Sequence, residues 1–262
     1  MSIRYIDIGI NLFSDRFDGQ REKIMKTAAE CGTAAVITGS SRRSSIQAAE
    51  YVREHGGYCT AGIHPHSAKE ATDEAMADIR RLLDDPHVVA VGECGLDYDR
   101  MFSPAQVQRD VFERHLRMAE EIGKPLFLHE RSAHEDFARI LSAHPDVCSR
   151  AVVHCFTGDA KTAERYLSLG CMIGITGWIC DDRRNEDLLS AIKIIPPDRI
   201  MAETDGPYLK PRIKGLKDPN VPQYVSYVVS RIAREKCVSE EALRDMILRN
   251  TIKFFDLGDD LG

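Results

Sequence analysis

Short apolar runs alternate along the chain with longer segments of helical period. The runs are Ile3–Ile8, Ala34–Thr38, Tyr58–Ile63, Val88–Gly92, Leu126–His129, Ala151–His154, Met172–Ile175 and Ile200–Glu203. Each is rich in Val, Ile or Leu, the pattern expected of strands covered on both faces. Between them, apolar positions recur every three or four residues. The clearest such segment is Pro104–Ile122, with Val107, Val111, Ala119 and Ile122 on one stripe and charges on the other. Ser103 is placed to cap it, Pro104 suits its first position, and Gly123 suits its end. Past the last run, "PYLKPRIKGLKDPNVP" reads as a long Pro- and Lys-rich loop. Two helices are predicted after it, Gln223–Glu235 and Ser239–Asn250, the second capped by Ser239.

Eight buried strands with helices between them predict an α/β fold, a (β/α)8 TIM barrel, as one domain spanning 1–262. An open doubly wound sheet is the rival. It usually has fewer strands, and no GxGxxG follows the first run here.

Composition narrows the function. At 262 residues the chain suits one barrel. No basic-then-apolar leader and no apolar run of membrane length occur, so no membrane association is expected. Eight cysteines are scattered without a CxxC pair and read as reduced thiols of a cytoplasmic protein. The net charge of −6 excludes a broad basic footprint for nucleic acid. A polyanionic substrate must then be gripped locally, by a metal and a few arginines. The oligomeric state is left open, with a monomer favoured.

The chemistry gathers where the apolar runs end. The third run ends in "GIHPH" with His64, and the fourth in "VGECGLD" with Glu93. The fifth ends in "LFLHER" with His129 and Arg131, the sixth in "VVHCFTG" with His154, and the eighth in "ETDGPYL" with Asp205. A barrel brings the carboxyl ends of its strands to one face, where barrel active sites lie. Glu93, His129, His154 and Asp205 taken together therefore read as a metal site. His55, His87, His115, His134 and His144 lie in predicted helices or loop edges and read as packing or surface residues. Imidazoles with carboxylates suit Zn²⁺, Mn²⁺ or Fe²⁺, whereas Mg²⁺ prefers oxygen. Such an ion activates water and polarises a phosphoryl or carbonyl oxygen. Asp205 is the candidate to take the water proton, to hold a second ion, or both. His64 is a phosphate donor or a further ligand. Arg131 divides evenly between a bidentate grip on phosphate and a salt bridge to Glu130 or Glu135. Lys210, Arg212, Lys214 and Lys217 read as a solvated loop. Trp178 and Tyr208 lie where a base could stack, with packing as the default. Gly92 and Gly95, on either side of Glu93, read as sites of close backbone approach. The first run brings Asp7, Gly9 and Asn11 towards its far end, without the histidine a metal would want.

In order along the chain, "GIHPH", "VGECGLDYDR", "LHER", "VVHCFTG", "GITGWICDDRR" and "ETDGPYLKP" resemble the successive motifs of the TatD family of metal-dependent deoxyribonucleases. "DIGINL" and "GITGW" are most similar to its bacterial TatD branch. The resemblance implies a (β/α)8 barrel of the amidohydrolase-like group that hydrolyses phosphodiester bonds. For this branch it implies 3′→5′ exonuclease action on single-stranded DNA and RNA, with Mg²⁺ as the usual cofactor. It makes Glu93, His129 and His154 metal ligands, Asp205 the catalytic or metal-linked carboxylate, and His64 a neighbour of the substrate phosphate. Two departures stand out. Relatives carry His-x-His where this chain has Gly9 and Asn11, which makes Asn11 a donor to phosphate or water. Relatives also carry Arg-Asn-Glu-Pro where this chain has "PNVP". The alternatives are a hydrolase of a C–N or ester bond, and a non-catalytic barrel that binds nucleic acid.

Overall fold

Strands and helices alternate throughout residues 2–258, the part of the chain that the computed structural model describes. The strands are β1 (Tyr5–Ile10), β2 (Thr33–Ile37), β3 (Tyr58–Ala61), β4 (Val88–Asp97), β5 (Leu126–Arg131), β6 (Ala151–His154), β7 (Met172–Ile175) and β8 (Ile200–Ala202). The helices are α1 (Arg21–Glu30), α2 (Arg42–His55), α3 (Asp73–Leu82), α4 (Ala105–Ile122), α5 (His134–Ser142), α6 (Pro145–Cys148), α7 (Ala160–Ser168), α8 (Glu186–Ile194), α9 (Val225–Lys236) and α10 (Glu240–Phe255). The chain divides into two compact units. One comprises Thr38–His154 and Ser168–Met172. The other holds the chain up to Ile37, Cys155–Leu167, and the chain from Ile173 onward.

In the first unit β3, β4, β5 and β6 pair in chain order, all parallel. All ten residues of β4 are buried. The strand runs five residues beyond the expected Val88–Gly92, and its glycines explain why. Gly92 and Gly95 have φ of 133° and 141°. A Cβ at either would collide with the β5 backbone, at the Phe127 and His129 carbonyl oxygens respectively. Only glycine takes this conformation without steric cost, so the pair lets β4 hug β5 and continue to Asp97. The buried face of α4 comprises Gln108, Val111, Phe112, His115, Leu116, Met118 and Ala119. Val107 and Ile122, expected on that stripe, are only half-buried. Phe112 stacks on Phe137 of α5, with ring centroids 5.2 Å apart. Gly123 ends α4 in the left-handed region, as expected. Ser103 is not its cap. Pro104 occupies that position without a side-chain bond, while the Ser103 hydroxyl donates to the His66 carbonyl and accepts from the Lys69 N–H.

In the second unit β1 pairs with β2 and β7 with β8, again parallel. The β1 ladder shifts register between Asp7 and Ile10. β1 still pairs with β2 beyond the shift, at Ile10 and Ile37, and it also bonds to the segment following β8. The Asp205 N–H donates to the Gly9 carbonyl at 2.9 Å, and the Asn11 N–H to the Gly206 carbonyl at 2.7 Å. The predicted C-terminal helices are α9 and α10. Ser239 caps α10 by accepting from the Ala242 N–H, and α10 runs on to Phe255. Strands that are parallel and sequential in each unit, each followed by a helix, are the (β/α)8 plan. No helix among the described residues is long and apolar enough to cross a membrane.

Candidate active site

Glu93 is the hub of the first unit's polar residues. It lies within β4, 5 % exposed, and its N–H donates to the Gly39 carbonyl. Its Oε1 meets three imidazoles: His154 Nε2 at 2.8 Å, His129 Nδ1 at 3.2 Å and His64 Nε2 at 3.3 Å. β4, β5 and β6 supply Glu93, His129 and His154, with His129 and His154 register partners. Ligand atoms of His64, Glu93 and His129 lie within 4.8 Å of one another, close enough to share a metal ion. Burial alone would raise the Glu93 carboxyl. The His64, His154 and His129 imidazoles outweigh it and hold the group well below the usual carboxylate range.

The three histidines differ in what their second nitrogen does. His64 precedes the turn Pro65–Glu70 and caps it, its Nδ1 accepting the His66 N–H at 3.1 Å. A neutral ring whose Nδ1 accepts carries its proton on Nε2, the atom facing Glu93. His64 is thus built as a hydrogen-bond donor rather than a metal ligand, although its distance alone admits either. Burial pushes its imidazole down to about 4, against the pull of Glu93. His129 turns Nδ1 towards Glu93 and Nε2 towards Asp97 Oδ2, 3.4 Å away. That Nε2 is buried without an aligned hydrogen bond. Burial would lower His129, but the Asp97 and Glu93 carboxylates overcome it and raise the group. The His154 ring stacks on Phe127, centroids 4.4 Å apart.

Sequence reasoning passed over Asp97 and ranked His66 below His64. Asp97 ends β4, is 2 % exposed, and takes the His66 Nε2 at 2.7 Å and the N–H groups of Asp99 and Arg100. Burial works to raise its carboxyl. The nearby His129 imidazole and the hydrogen bonds from His66 and the Arg100 N–H prevail and hold it far below the usual range. A signal was available: Glu93, Gly95 and Asp97 alternate, so a strand continuing through the glycines puts both carboxylates on one face. Arg131 lies at the end of β5, with Nε 3.7 Å from Asp99 Oδ2, a partner other than the expected Glu130 or Glu135. His115 is a core histidine, as expected. Its Nδ1 meets the Val111 carbonyl, its Nε2 accepts the Ile63 N–H, and burial pushes it down to about 4.

Carboxylates of the second unit accept hydrogen bonds from hydroxyl, amide and backbone N–H donors. Asp205 has φ of 54°, and its Oδ1 accepts the Asn11 amide at 2.8 Å. Asp7, fully buried, accepts the Thr204 N–H at 2.8 Å, the Thr204 hydroxyl and the Gly9 N–H at 3.2 Å. Burial pushes its carboxyl well up. Asp7 therefore braces the end of β1 against the segment carrying Asp205. Glu203, buried beside them, accepts the Cys155 N–H. The basic loop is partly neutralised: Lys210 pairs with Asp218 at 3.1 Å, and Arg212 Nε lies 3.7 Å from Asp181.

The donor set of the first unit fits a divalent ion. A buried carboxylate ringed by imidazoles, with a second carboxylate behind one of them, is the arrangement by which proteins orient metal-binding histidines. Comparison with known proteins agrees. The chain is 44 % identical over 233 residues to a protein of Erwinia tasmaniensis named 3'-5' ssDNA/RNA exonuclease TatD, covering 87 % of this chain and 90 % of that one. A Rahnella protein of the same name is 42 % identical over 257 residues, covering 96 % and 98 %. Among solved structures, YJJV, a TatD homolog from Escherichia coli K12, matches with a TM-score of 0.88 at 25 % identity, covering 98 % of this chain and all of that one. The phosphotriesterase homology protein of Escherichia coli, complexed with phosphate in its active site, matches with a TM-score of 0.67 at 15 % identity, covering 96 % and 98 %, a likeness of fold alone. The fold is the (β/α)8 barrel of metal-dependent hydrolases. The family described as TatD related DNase matches residues 6–256. This chain therefore belongs to the TatD related DNase family of hydrolytic nucleases.

Proposed function

We propose that this protein removes nucleotides from the 3′ ends of single-stranded DNA, and of RNA, by hydrolysing phosphodiester bonds with a divalent ion. The observation that carries the reading is the single Glu93 oxygen within 3.3 Å of nitrogens on three histidines. The names of the 39–44 % identical relatives support the substrate class.

Glu93, His129 and His154 are the residues that would hold the ion. When bound, it lowers the pKa of water and polarises a phosphoryl oxygen. Asp205 takes the proton of the attacking water, its carboxylate oriented by the Asn11 amide. His64, with Nδ1 engaged by its own turn, presents its Nε2–H to a phosphate oxygen. Arg131, 38 % exposed, adds a guanidinium for phosphate. Asp97 acts through His129 by holding the ring. Mg²⁺ is the ion the family resemblance implies, while the imidazoles favour Mn²⁺ or Zn²⁺. Thiols without disulfides among the described residues fit a reducing cytoplasm.

The test is a 5′-labelled single-stranded oligonucleotide incubated with Mg²⁺, Mn²⁺ or Zn²⁺, with chelator, and with the Glu93→Ala variant. A ladder shortening from the 3′ end, abolished by chelator and by the substitution, is expected. Digestion by Glu93→Ala at the parental rate overturns the assignment.

A further inference from the structure

Tyr208 lies three residues beyond Asp205 and is 47 % exposed. Singly exposed aromatics are ordinary. What sets this one apart is how firmly its backbone is tied to the residues around Asp205. The Tyr208 N–H donates to the Asp205 carbonyl at 3.0 Å. The Tyr208 carbonyl accepts the Asn220 amide at 2.6 Å, and that same amide reaches the Thr204 carbonyl at 2.8 Å. The backbone that carries the ring is therefore tied to that of Asp205, while the ring stays outside the core.

A cation accompanies the ring. The exposed Arg16 guanidinium lies 5.9 Å from the Tyr208 centroid, near the outer limit of a cation–π contact, and donates to the Pro207 carbonyl at 3.2 Å. Trp178, the other aromatic that sequence reasoning singled out, is placed differently. The Arg184 guanidinium sits 3.6 Å from its centroid, and its indole N–H is committed to the Arg184 carbonyl at 3.0 Å. The chain itself covers the tryptophan and leaves the tyrosine open.

An open aromatic face beside an arginine, three residues from a candidate catalytic carboxylate, is how proteins hold one nucleotide of a single strand without reading its identity. The base stacks, and the guanidinium serves its phosphate. We propose that Tyr208 and Arg16 form a stacking subsite for the nucleobase flanking the bond that is cleaved. The inference rests on the nuclease reading above and deepens it by assigning residues to substrate positioning. Tyr208 takes no part in proton transfer.

The test measures binding of a single-stranded oligonucleotide with 3′ phosphorothioate linkages, divalent ion present, by fluorescence anisotropy. Tyr208→Leu is expected to weaken binding by about fivefold to a hundredfold, the range for loss of one stacked base. Tyr208→Phe and Tyr208→Trp should bind as the parent does, as should Tyr227→Leu, which removes an exposed tyrosine of α9. An oligonucleotide abasic at its 3′ end should bind the parent more weakly, and Tyr208→Leu should be nearly indifferent to the same lesion. On a cleavable strand, KM should rise for Tyr208→Leu while kcat stays within about threefold of the parent. Parental binding by Tyr208→Leu, or an abasic penalty equal in both proteins, overturns the subsite while leaving the nuclease reading intact. A parent that cleaves no strand with any divalent ion overturns both.

Discussion

The two units treat their carboxylates in opposite ways. In the unit containing β3 to β6, Glu93 and Asp97 are surrounded by imidazoles and held well below the usual carboxylate range. In the unit containing β1 and β8, Asp7 meets a hydroxyl and backbone N–H groups, and Asp205 takes a neutral amide. The first arrangement stores negative charge among soft, deprotonatable donors, as cation binding requires. The second holds its carboxylates through directed hydrogen bonds from hydroxyl, amide and backbone N–H donors. The contrast is the basis for the roles proposed above, Glu93 as a holder of the ion and Asp205 as a proton acceptor.

The largest effect should come from the hub. Glu93→Gln removes the charge that binds His64, His129 and His154 together. Activity is expected to fall by more than about a hundredfold, beyond the cost of losing an outer hydrogen-bond partner. Bound metal, measured by elemental analysis after dialysis, should vanish with it. Asp205→Asn should lower kcat by about a hundredfold to ten-thousandfold, the range for a lost general base. It should leave metal content close to the parental value. Loss of metal in Asp205→Asn would show that Asp205 helps to hold the ion.

Asp97→Asn comes next. Removing the carboxylate behind His129 should weaken metal affinity by about tenfold to a hundredfold. It also carries a pH signature. His129 is raised above the ordinary imidazole value by Asp97 and Glu93, so without an ion it keeps its proton up to higher pH. Binding an ion must expel that proton, so affinity should fall as pH drops through and just above the ordinary imidazole range. Asp97→Asn lowers His129 and should move that fall to lower pH. Calorimetric titration in two buffers of different ionisation enthalpy reads the released proton directly, and a profile unmoved by the substitution would exclude the Asp97 role. Asn11→Ala should have the smallest effect. It loses one part-buried hydrogen bond that water can replace, worth about 0.5–1.5 kcal/mol, and should appear as a drop in kcat of up to about tenfold with unchanged metal affinity. A drop in metal affinity would show that Asn11 belongs with the ion rather than with Asp205.

Much of this was legible in the amino-acid order. All eight apolar runs became strands, because a strand buried on both faces needs a run of Val, Ile and Leu that little else produces. Glu93, His129 and His154 could be grouped before any coordinates, because a barrel gathers its strand ends. Ser239 and Gly123 marked helix ends by local chemistry alone. Asp97 escaped because the apolar run stops at Gly92, whereas the close approach expected of Gly92 and Gly95 is what lets β4 continue. Ser103 misled because a serine before a proline looks like a cap, and only the packing shows its hydroxyl engaged with His66 and Lys69.

The sequence by itself determined the type of fold and the identities of the hub residues, through periodicity and through which side chains end which strand, and its motifs pointed to the family. Tertiary structure alone decided how their polar atoms face one another. It turned His64 into a donor by filling its Nδ1, set Asp97 behind His129, gave the Asn11 amide to Asp205 and made Asp7 a brace. These outcomes depend on which lone pair or proton faces which neighbour, over distances near 3 Å. Residue order carries no record of that orientation, because a side chain's partner is set by how the chain packs and not by its neighbours in sequence.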